Sequence, residues 1–60
     1  MNGTLKVADK VREKMTGETA TVKAIDGLRA KLLNHETGSC EWVMLSDLQA
    51  SWTLLEKKAA

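Results

Sequence analysis

Hydrophobic and polar positions alternate through the middle of the chain. Thr19-Ala20-Thr21-Val22-Lys23-Ala24-Ile25 is rich in β-branched residues and reads as a strand. Leu28-Arg29-Ala30-Lys31-Leu32 alternates apolar with basic, the period of a half-buried strand. Between them Asp26-Gly27 predicts a hairpin, since both residues tolerate the positive φ of a type I′ turn. His35-Glu36-Thr37-Gly38 predicts a second turn, and Cys40-Glu41-Trp42-Val43-Met44 the next strand. Gly17, Gly27 and Gly38 recur at nearly regular spacing, which fits a meander of short strands.

Both ends of the chain carry two patterns. Val7, Val11 and Met15 recur at helical spacing, and Gly17 suits a helix C-terminus. The stretch from Asp9 to Lys14 reads equally as a strand with Val11 inward and Lys10, Arg12 and Lys14 on the opposite face. Near the other end Ser46 and Gln49 resemble a capping box. Leu48, Trp52 and Leu55 then form a helical stripe, with Lys57 and Lys58 at its end. Against that local signal stands a strand from Trp52 to Glu56. A four-stranded sheet this small would otherwise leave its first strand as an open edge.

With 60 residues the chain is expected to be one domain, its core between about residues 7 and 57. A domain of that size buries only about 60% of its unfolded surface. Cys40 is the sole cysteine, so no disulfide within the chain staples it. Cys40 and His35 are too few soft ligands for a closed zinc site, and no metal or cofactor is expected. Met1-Asn2-Gly3-Thr4 lacks the basic and apolar run of a secretory leader. Asn2-Gly3-Thr4 matches a glycosylation acceptor, read as chance in a chain with no leader. The longest apolar run, Trp42 to Leu45, is too short to span a bilayer. A cytoplasmic location, away from membranes, is the expectation. A net charge of +1 announces no polyanion partner by itself.

In order along the chain, Asp9-Lys10-Val11-Arg12, Thr21-Val22 before Asp26-Gly27, and Glu41-Trp42-Val43 before Leu45-Ser46-Asp47-Leu48 resemble the SH3-like barrels. The resemblance implies an all-β, five-stranded barrel. A one-turn 3₁₀ helix would follow the fourth strand, and the fifth, Trp52 to Glu56, would close back onto the first. Similar patterns occur in KOW and Tudor-like modules and in type II dihydrofolate reductase. That enzyme uses a Val-Gln-Ile-Tyr segment in a tetrameric pore. Cys40-Glu41-Trp42-Val43 stands in its place here, and Met44 stands where the enzyme has proline, so its substrate residues are not carried over. An enzymatic reading would need a site shared between subunits.

No phosphate loop, carboxylate pair or nucleophilic triad is visible, so the expected role is that of a small non-catalytic binding module. Lys10, Arg12 and Lys14 on the first strand, Lys23 on the second, and Arg29 and Lys31 on the third would share one outer face with Thr21. Such a patch suits nucleic-acid phosphates or an acidic protein, against the bland alternative of a solvated, soluble strand face. The competing function is a protein–protein adaptor, or a module that pairs with its own copies, through an apolar strip of Leu33, Trp42 and Met44. In a chain with only two aromatic residues, Trp42 and Trp52 both read first as core. His35 reads as a polar turn residue and Cys40 as a small strand hydrophobe.

Overall fold

The computed structural model describes residues 5–55. The glycosylation match at Asn2, the end of the expected fifth strand at Glu56, and Lys57 and Lys58 lie outside the described residues. The elements are β1 (Lys10–Glu13), β2 (Thr19–Asp26), β3 (Arg29–Asn34), β4 (Cys40–Met44), α1 (Leu45–Ser51) and β5 (Trp52–Leu55). The strands form one antiparallel sheet of five in the order β4-β3-β2-β1-β5. The first ambiguous segment is therefore a strand, and the last is a short helix followed by a strand.

Alternation drives the strands as the sequence implies. Val11 on β1, Ala20 and Val22 on β2, and Ala30 and Leu32 on β3 are buried on one face. Leu48 of α1 completes this core, with Leu5, Val43, Leu45, Trp52 and Leu54 half-buried against it. Registers Val11↔Ala20 and Val22↔Leu32 place these residues directly opposite one another. The reading of Trp52 as a packing residue agrees with its place against the core.

The β1–β2 and β3–β4 turns use one device twice. In the first, the Glu13 carboxylate accepts the backbone N–H groups of Met15 and Thr16 at 3.1 and 2.8 Å. In the second, Asn34 Oδ1 accepts those of Glu36 and Thr37 at 2.8 and 3.1 Å. Each turn then closes with a glycine N–H on the carbonyl of that same residue at 2.8 Å, from Gly17 and Gly38 respectively. The hydroxyls of Thr16 and Thr37 each accept one further N–H at 3.2 Å. Backbone donors that strand pairing would leave orphaned are thus satisfied locally.

The β2–β3 hairpin differs from the expected type I′ turn. Asp26 pairs with Arg29, so the loop is Gly27–Leu28, with Asp26 still in the strand. Gly27 has φ +64° and Leu28 does not share the positive region. That is the pattern of a type II′ turn, which needs glycine only at its first central position.

The expected 3₁₀ turn is instead a seven-residue α-helix. Ser46 lies inside it, and the extended residue before it is Met44, which makes no side-chain cap. Leu45 and Leu48, three apart, share the face turned to the core. The helix is anchored at both ends: Leu45 N–H donates to Leu28 O at 2.8 Å, and Lys14 N–H to Ser51 O at 2.9 Å. It therefore runs along the core from the β2–β3 turn to the β1–β2 turn. It delivers β5 to β1, with Val11↔Leu54 and Glu13↔Trp52 in register. The fifth strand thus returns to the first, as expected. The sheet is nevertheless not closed into a barrel, and β4 and β5 form its two edges.

Candidate functional site

The face of the sheet opposite the core collects the chemistry. Registers Lys10↔Thr21, Thr21↔Leu33 and Leu33↔Cys40 lay one row of side chains across four strands. Beside it run Lys31↔Trp42 and Arg29↔Met44 on one flank. Arg12, between Thr19 and Thr53, lies on the other. Strand spacing puts Lys10 and Lys31 roughly 12 Å apart at their Cα atoms, close enough for a polymer to touch both.

The structure brings together Lys10, Arg12, Arg29 and Lys31 from the expected basic face. Lys14 departs from it, and Lys23, exposed after the inward Val22, sits at a break in the register. Lys14 follows the end of β1, and its ammonium donates to the Ala50 carbonyl at 3.3 Å, near the end of α1. Lys23 falls where the β2–β3 register shifts between Val22 and Ala24, so it has no partner on β3. This β-bulge brings Ala24, in place of Lys23, opposite Lys31, and shifts the phase of β2 by one residue, so that Ile25 and not Ala24 lies opposite Ala30.

Trp42 is not core, in contrast to the sequence reading. It is 42% exposed and Met44 47% exposed. The register explains it: Val43, opposite the buried Ala30, takes the inward position, which forces Trp42 and Met44 outward. Cys40 is exposed on the same face. The expected apolar strip of Leu33, Trp42 and Met44 thus exists, and it adjoins the cations. The Arg29 guanidinium lies 4.6 Å from the centre of the indole ring and the Lys31 ammonium 6.0 Å. Both distances fall within cation–π range. Arg29 also meets the Asp26 carboxylate at 3.5 Å, the one ion pair among the described residues. Other carboxylates are engaged at the sheet's ends: Glu13 in its turn, Glu18 with the Asn34 amide at 3.1 Å, and Asp9 with the Lys6 N–H at 2.8 Å.

His35 does more than the polar turn residue the sequence implies. Its Nδ1 lies 2.8 Å from the Thr19 hydroxyl and its Nε2 2.6 Å from that of Thr21. In either neutral tautomer one ring nitrogen donates to a hydroxyl and the other accepts from one. The ring thus straps the β3–β4 turn across β2. The readable signal was Thr19-x-Thr21, which puts two hydroxyls on one strand face. Beside the strap a polar cleft of about 240 Å³ opens between the two Thr-Gly turns, lined by Thr16, Gly17, Glu18, Thr19, His35 and Glu36. Two carboxylates at its wall make it a poor seat for an anion, and it borders the cation face at Thr19, which stands opposite Arg12.

No helix among the described residues is long and apolar enough to cross a membrane. The chain matches no protein-family model, curated protein or solved structure.

Proposed function

We propose that this chain is a small non-catalytic binding module that takes nucleic acid on the outer face of its sheet. Lys10, Arg12, Arg29 and Lys31 are its phosphate contacts. The observation that carries the reading is the segregation of charge. A chain of net charge +1 turns these cations to one face, where, among the described residues, Arg29 alone of the four meets a carboxylate, that of Asp26. Local field, more than net charge, governs contact with a polyanion. Strand order and the helix between β4 and β5 support reading the fold as an opened form of the SH3-like barrel. A cytoplasmic setting belongs to the same reading, since exposed Cys40 keeps its thiol in a reducing compartment.

The test is charge reversal on two strands at once. Arg12→Glu with Lys31→Glu should leave the fold intact, because neither side chain enters the core. It should weaken binding to all nucleic-acid sequences alike, by at least ten-fold at low salt. Affinity of the unmodified protein should fall steeply with added salt. Absence of binding at low salt would end this reading.

A second reading rests on a different observation. The unpaired edge of β4 carries Trp42 and Met44 exposed beside Leu33. Such an edge is a template for a partner strand, from an adaptor target or a second copy. Mass in solution separates the two: a concentration-dependent dimer insensitive to salt favours the edge.

A further inference from the structure

We infer that the face is built for single-stranded nucleic acid, with an unpaired base stacked on Trp42. This rests on the nucleic-acid reading and narrows it. Three observations converge. The indole is exposed on an edge strand, and among the described residues no further strand of the sheet lies beyond it on that side. Arg29 and Lys31 lie over the ring from β3, at 4.6 and 6.0 Å from its centre, and steady it from that side before any ligand arrives. Lys10 and Arg12 lie three strands from Trp42 on the same face, where the backbone of a strand leaving Trp42 would pass.

A duplex cannot use this arrangement. Its bases already stack on one another and leave no open π face within the stack for the indole. An unpaired base offers an open π face, and stacking on an aromatic side chain tolerates any base. The Thr19 and Thr21 hydroxyls, fixed by His35, line the path between the aromatic end and the cations of β1 with polar groups. An acidic peptide would match the cations yet leave the indole without a planar partner.

The experiment compares three probes of equal length on the unmodified protein and on Trp42→Leu: a labelled oligothymidine, a duplex, and an abasic oligonucleotide. Fluorescence anisotropy is read at low and moderate salt. The unmodified protein should prefer oligothymidine over both other probes by roughly ten-fold. Trp42→Leu should erase that preference and leave duplex affinity within about two-fold. In the unmodified protein, tryptophan emission should be quenched by oligothymidine and left unchanged by the abasic strand. That measurement stands even where the variant folds poorly. Equal affinity for all three probes, or an equal loss for all of them in Trp42→Leu, would overturn the stacking site while leaving phosphate binding in place. No binding to any probe at low salt would overturn both readings, and binding of polyglutamate in its place would assign the face to an acidic protein.

Discussion

Gly27 shows how much one residue type decides. Its φ of +64° lies in the left-handed region, and nothing stands within 4 Å of where a Cβ would be. Any cost of substitution is therefore backbone strain and not crowding. For a β-branched side chain that strain is about 1–2 kcal/mol. Gly27→Val should accordingly lower the melting temperature by about 5–15 °C, given the small unfolding entropy of so short a domain. Calorimetry showing no change would contradict the turn. Trp42 is the residue the sequence placed worst. Scarcity of aromatics argued for the core, but scarcity is a property of composition, whereas burial is set by register. Once Val43 faces Ala30, its neighbour on the strand has nowhere to go but out.

At the scale of elements, the paired turns were legible and their mechanism was not. Glu-Lys-Met-Thr-Gly-Glu and Asn-His-Glu-Thr-Gly-Ser share a Thr-Gly at the same offset, and each places an acceptor side chain at the strand end. Asn34 is the more exposed to test, since it accepts two N–H groups and also donates to Glu18. Asn34→Ala should cost about 1–3 kcal/mol, the sum of modest bonds and donors left short of a partner. A denaturant midpoint that does not move would show that water replaces the side chain without loss. The strands of the middle hairpins could be read because their signal is local and alternating. The bulge at Lys23 could not, because it is a property of register and not of composition, nor could the tether from Lys14 to Ala50, whose partner lies 36 residues along the chain. The C-terminal stretch held both a helix and a strand signal, and both were partly right: Leu45 and Leu48 take the helix, Trp52 and Leu54 the strand.

For the whole molecule, the core is thin and one helical side chain closes it. Leu48 is fully buried and is the helix residue that reaches the core's centre. Leu→Ala at such a site costs about 2–5 kcal/mol. A domain of 60 residues has in total only about 3–9 kcal/mol. Leu48→Ala should therefore leave the chain close to its folding midpoint at room temperature, with a shallow, early thermal transition by circular dichroism. A variant that still melts cooperatively within a few degrees of the parent would mean that the sheet holds together without its helix.

The return of β5 to β1 has a kinetic consequence. Hairpins β2–β3 and β3–β4 join neighbours along the chain, whereas Val11↔Leu54 joins its two ends. Closing so long a loop is entropically the dearest contact in the molecule, so it should form last, after the rate-limiting barrier. Weakening it would then hasten unfolding and spare refolding. In stopped-flow experiments Leu54→Ala should raise the unfolding limb several-fold and leave the refolding limb where it was, while Leu32→Ala, in the local hairpins, should slow refolding. A refolding limb shifted by Leu54→Ala would mean that the chain brings its ends together early. In the expected order β5 is the first strand to let go, and the cation face keeps Lys10 and Arg12 for as long as β1 stays paired with β2.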